Sequence, residues 1–114
     1  MRKASDKVGW TKTMTEGQTR SWIFLATAMA SQTEPADYES ISNIADGINH
    51  AVPTHKELQT SLTWLIKNEL VSKTGNKYRL TEKGQIDNDA ASQRTSTLLQ
   101  IWDNLDTVLK KYGT

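Results

Sequence analysis

Apolar residues recur through the first two thirds of the chain at the three- and four-residue intervals of helices buried along one side, and capping signals mark where each run begins. Thr15 stands three residues ahead of Gln18, the spacing of a capping box, so a helix is predicted to begin near Glu16 and to run through TRSWIFLATAMAS. Trp22, Phe24, Leu25, Ala28 and Met29 fall mostly inward, and a run that is apolar on several sides belongs at the centre of a fold. Pro35 and the acids around it mark a second start, with Tyr38, Ile41, Ile44, Ala45 and Ile48 at helical spacing from about Ala36 to about Asn49. Val52-Pro53 breaks that run. A second capping box, Thr54 to Glu57, opens a third helix whose Leu58, Leu62, Leu65 and Ile66 form one buried stripe.

After Asn68 the period shortens from helical to two. LVSK, TGN and KYRL read as strand, turn and strand, with Tyr78 and Leu80 on one face and Lys77 and Arg79 on the other. Two strands are marginal alone, so this hairpin is expected to lie against the helices through Leu70, Val71, Tyr78 and Leu80. Thr81 can cap a further helix. From Asp87 onward Ala91, Thr95, Leu98, Trp102, Leu105, Leu109 and Tyr112 alternate steps of four and three, a heptad seam broadened by Ile101 and Val108. As one helix of about 25 residues it is about 37 Å long, more than a compact domain of this size covers by itself.

A length of 114 residues allows one hydrophobic core and not two. The absence of cysteine excludes disulfides and thiolate metal sites and fits a reducing compartment. The longest apolar run, Trp22 to Ala30, is too short for a bilayer, and the basic start is not followed by a signal core, so a cytoplasmic protein with no membrane partner is expected. A net charge of +1 says nothing about nucleic acid, but its distribution does. Residues 1–20 hold five cations against two acids, residues 21–52 hold four acids and no Lys or Arg, and residues 53–85 hold six cations against three acids. Positive charge is concentrated at the start and in the middle.

From Pro53 to Gly84 the chain reads PTHKELQTSLTWLIKNELVSKTGNKYRLTEKG. Leu62 and Leu65, the exit Leu70-Val71 and the closing Tyr78-Arg79-Leu80-Thr81-Glu82-Lys83-Gly84 resemble the second half of a winged helix-turn-helix domain of the MarR and PadR regulator type. With the two preceding helices the resemblance covers roughly residues 18–85. It implies a mainly α winged helix-turn-helix fold with a small β-hairpin, over residues 15–86; the polar, aperiodic start reads as a flexible basic arm over 1–14, for which Trp10 is a candidate anchor, and the heptad seam as a long C-terminal helix over 87–114. It further implies sequence-specific duplex DNA binding by a small transcriptional regulator, with the third helix in the major groove and the hairpin beside it. The face opposite the leucines offers His55, Lys56, Gln59, Thr60 and Thr63. Gln suits adenine, Lys suits guanine or phosphate, and Thr offers a hydroxyl or a methyl. Lys73, Lys77 and Arg79 are the expected phosphate contacts of the wing. Glu69 occupies the place of the family's exit glycine, so Asn68 is expected to make the left-handed turn.

The seam residues Leu98, Trp102, Leu105, Leu109 and Tyr112 are the expected homodimer contact, which would offer two recognition helices to a pseudo-palindromic site. Packing along the first helix of the same chain is their alternative. A polar solvated face is likewise the plain alternative for the third helix, and edge protection for Lys77 and Arg79. A winged helix whose surface binds protein, without DNA, is the competing functional class. His50 and His55 lack a zinc spacing, and no nucleotide-binding or triad motif occurs, so no catalytic residue, metal or cofactor is assigned and no enzyme is expected. Nothing in the sequence points to an effector ligand.

Overall fold

The computed structural model describes residues 14–93 and 95–113. The elements in chain order are α1 (Glu16–Ala30), β1 (Ala36–Asp37), α2 (Tyr38–Asn49), α3 (His55–Lys67), β2 (Val71–Thr74), β3 (Lys77–Leu80), α4 (Glu82–Ser92) and α5 (Leu98–Leu109), with a short 3-10 turn at Lys110–Tyr112. The chain is mainly helical with a three-stranded antiparallel sheet in the order β1-β3-β2. The expected basic arm, Trp10 included, lies almost wholly outside the described residues.

Helix α1 is the hub. Every residue from Ser21 to Ala28 is buried, and the helix touches α2, α3, α4, α5 and β3. An all-round apolar helix is stable only when enclosed, which is why the other elements are arranged about it. Its two buried hydroxyls do not go unpaired: Ser21 Oγ donates to the Gly17 carbonyl and Thr27 Oγ1 to the Ile23 carbonyl at 2.8 Å. Trp22 fixes α2 against it by donating from Nε1 to the Ala45 carbonyl at 2.8 Å. Both predicted capping boxes form, at Thr15 with Gln18 and at Thr54 with Glu57.

Ala36 and Asp37, expected inside the second helix, instead pair with Tyr78 and Lys77 of β3 as a third strand. Asp37 then caps α2, its carboxylate accepting from the Ser40 N–H at 2.9 Å. That backbone bond holds the Asp37 carboxyl below its ordinary value, with the Ser40 hydroxyl and Lys77 adding to the effect. Strand β1 is short because Pro35 just before it has no N–H to give a sheet.

The exit of α3 corrects a second expectation. Asn68 has φ −91, and Glu69 takes the left-handed conformation at φ 64. Immediately after it, the Leu70 carbonyl accepts from the Thr81 N–H at 3.0 Å, and the Thr81 hydroxyl donates to the Glu69 carbonyl at 2.5 Å. A Cβ built on Gly84 would stand 2.1 Å from that same Leu70 oxygen. The closing glycine is thus required by a backbone that passes directly over it.

The predicted long C-terminal helix is two helices. Helix α4 ends at Ser92 and α5 begins at Leu98, with Thr95, a seam position, in the connection. Thr95 Oγ1 accepts from the Thr97 N–H at 3.2 Å, a local bond that competes with continued helix. Asn104 of α5 then donates to the Ala91 carbonyl near the end of α4 at 2.9 Å. The break lets α5 fold back on α1 and α4 and bury Ile101, Leu105 and Leu109 inside the chain.

Candidate nucleic-acid interface

The α3 helix positions the candidate interface through a division of its own surface. Leu58, Ser61, Leu62 and Leu65 are buried, so the stripe half a turn away must point outward. His55, Lys56, Gln59, Thr60 and Thr63 are all exposed. Lys56, Gln59, Thr60 and Thr63 lie side by side on that outer stripe, and exposed Lys67 extends it by one turn. Lys67 is an addition to the expected set, and its place four residues after Thr63 is the signal that marks it. Glu57 does not project from this face as a free acid: its Oε1 turns back to accept from the Thr54 N–H at 2.8 Å.

His55 is held differently. The Tyr38 hydroxyl donates to the His55 carbonyl at 3.1 Å and sits 3.2 Å from its Nδ1, with the two rings 5.5 Å apart. Burial raises the Tyr38 phenol above its ordinary value, so it remains a donor. His55 therefore belongs to a contact between the starts of α2 and α3. No spacing in the sequence reveals this pairing, because it depends on how the helices are set about α1.

The three hairpin cations separate. Ser72 pairs with Arg79 and Thr74 with Lys77, whereas Lys73 pairs with Tyr78. Directly opposed residues share a face, so Lys77 and Arg79 lie on one side of the hairpin and Lys73 on the other. Lys73 Nζ lies 5.7 Å from the Tyr78 ring centroid. Lys77 also faces Asp37 across β1, which sets an acid beside the expected phosphate contact. All three cations are exposed.

Along the opposite flank of α3, the Arg20 guanidinium covers Trp64 at 4.5 Å, and Trp64 meets the Tyr112 ring edge-on at 6.4 Å. Tyr112 donates to Asp87 at 2.5 Å, and Lys111 pairs with the same carboxylate at 2.9 Å. This chain of contacts ties α3 to α1, α4 and the end of the chain and holds its outer stripe in place. Between α1 and α3 a cleft of about 190 Å³ is lined by Met14, Glu16, Arg20, Lys56 and Thr60.

Of the expected dimer contacts, Leu105 and Leu109 are core residues of the single chain. Trp102 stacks on Trp22 at 6.1 Å and donates to the Gln18 carbonyl at 2.8 Å, while Tyr112 is engaged with Asp87. Leu98 is 38% exposed and its neighbour Leu99 is 65% exposed. Among the described residues no helix is long and apolar enough to cross a membrane, and no group of three His, Asp or Glu could hold a metal ion. No protein-family model, curated protein or solved structure matches the chain.

Proposed function

We propose that the chain is a small transcriptional regulator of the winged-helix type that binds duplex DNA through the outer stripe of α3. One observation carries this: Lys56, Gln59, Thr60, Thr63 and Lys67 are exposed together on a helix whose opposite face is fixed in the core. A rigid helix bearing a base-reading amide, hydroxyls and cations along one side suits a major groove. Lys77 and Arg79 supply backbone affinity from the hairpin, and His55 orients the start of α3 through Tyr38. Leu98 and Leu99 are the apolar side chains of α5 left for the two-fold dimer, since Leu105 and Leu109 are enclosed within one chain.

The protein-binding alternative is favoured by the interleaved charge: Asp37 faces Lys77, and Glu69 projects at the exit of α3. Selection of bound fragments from random duplex DNA at moderate salt separates the two. Enrichment of a common motif is the expected result, and its absence would transfer the α3 stripe to a protein partner.

A further inference from the structure

His55 opens α3, one helical turn before Gln59, and helix side chains lean toward the N-terminus, so its imidazole stands at the leading end of the candidate interface. Two contacts with Tyr38 fix the state of that ring. The Tyr38 hydroxyl oxygen lies 3.1 Å from the His55 carbonyl oxygen and 3.2 Å from His55 Nδ1. A carbonyl oxygen can only accept, so the single phenol hydrogen is committed to it, and burial, which raises the phenol above its ordinary value, keeps that hydrogen in place. A bare Nδ1 would then face the phenol oxygen lone pair to lone pair. The second contact is a hydrogen bond only when Nδ1 carries a proton and donates. A neutral imidazole has one N–H, so with that proton on Nδ1 the exposed His55 presents Nε2 as a bare acceptor.

We propose that Tyr38 is a positioning residue that holds neutral His55 in its Nδ1–H tautomer, so that Nε2 reads an exocyclic amine at a base edge in the major groove. The base contact rests on the reading of α3 as the DNA-contacting helix, and it states what one position of the bound sequence must offer. Adenine N6 and cytosine N4 are the amine donors that face the major groove, whereas guanine O6 and thymine O4 are acceptors there. A bare Nε2 therefore pairs with adenine or cytosine on the strand it faces and is left lone pair to lone pair with guanine or thymine. Recognition helices read bases with their N-terminal residues, which is where His55 sits. The opposite tautomer would invert the choice, because an Nε2–H donates to guanine, to thymine or to phosphate. One hydroxyl on α2 thus decides the sign of a contact made by α3.

The chain has two histidines, and exposed His50 serves as a reference within the same molecule. In two-bond proton–nitrogen spectra of the full chain, at the alkaline end of the imidazole titration, His55 is expected to show a protonated Nδ1 and a bare Nε2. Tyr38→Phe keeps the ring and removes the hydroxyl, so it should return His55 to the Nε2–H form that free histidine favours, with the buried Trp22 indole resonance in place. An Nε2–H at His55 in the unaltered protein, or a tautomer that Tyr38→Phe leaves unchanged, would overturn the assignment with no DNA present. Selection from random duplex DNA then reads the contact itself. The unaltered protein should prefer adenine or cytosine over guanine or thymine about tenfold at one position, within the range for a single base contact. His55→Ala and Tyr38→Phe should each lose that preference, and a preference surviving both would remove His55 from base reading. An Nδ1–H tautomer with no enriched motif would sink the DNA reading and the base contact together, while the Tyr38 lock on His55 would stand.

Discussion

Gly84 shows how much a single missing side chain can organise. The Leu70 carbonyl that accepts from Thr81 lies where a Gly84 Cβ would be, so the junction of α3, hairpin and α4 closes only over glycine. Because the obstacle is backbone, it cannot swing aside, and Gly84→Ala should destabilise the fold by about 3 kcal/mol, the upper part of the range for overpacking. Urea unfolding monitored by tryptophan fluorescence would measure this. Glu69 is the complementary case, an L-residue at φ 64. Left-handed backbone costs such a residue about 1–2 kcal/mol, partly offset by the smaller unfolded-state entropy of a non-glycine. Glu69→Gly should therefore raise stability by about 0.5–1 kcal/mol, visible as a higher urea midpoint at an unchanged slope.

The break between α4 and α5 converts a heptad seam into an antiparallel pair. A heptad pattern states only that one side of a helix is apolar; it does not say whether the covering surface belongs to the same chain. Here α1 supplies that surface, and the Asp87 cluster fastens the far end. Burial first, and then the Asp87 carboxylate, raises the Tyr112 phenol, while the hydrogen bond to Asp87 raises the Lys111 ammonium. Both groups hold their protons more tightly when folded, so their contribution is complete below the ordinary Tyr and Lys range and is lost as pH climbs through it. Lys111 is 55% exposed and solvent-screened, so Asp87→Asn should cost only about 1–2 kcal/mol at neutral pH. Comparing urea curves of the two proteins from pH 7 to 11, this difference should narrow above about pH 10.

For the whole molecule, the arrangement of charge matters more than its sum. The proposed DNA face combines Lys56 and Lys67 on α3 with Lys77 and Arg79 on the hairpin, and none of these four is buried. If phosphate contacts supply the affinity, Lys56→Ala and Lys77→Ala should each weaken duplex binding about tenfold and reduce the salt slope by about 1. Gln59→Ala should instead relax the preferred sequence with little change in that slope. Fluorescence anisotropy over a salt series reads both quantities. Binding that is unchanged in all three variants would move the interface away from α3.

The sequence alone determined the elements whose causes are local. The capping boxes at Thr15 and Thr54, the leucine stripe of α3, the hairpin around Gly75 and the cap at Thr81 each depend on residues within a few positions of one another, and each is where the pattern places it. The exposed stripe of the candidate site was legible for the same reason, since burying Leu58, Leu62 and Leu65 fixes what must face out. What tertiary structure decided was every pairing across long separations. Ala36 and Asp37 left a helical pattern to join a strand some forty residues away. Tyr38 engages His55 at the start of α3, and Lys73 fell on the opposite side of the sheet from Lys77. The α5 seam found its cover on α1. Periodicity reports that a face must be buried, whereas only the packed chain selects which surface buries it.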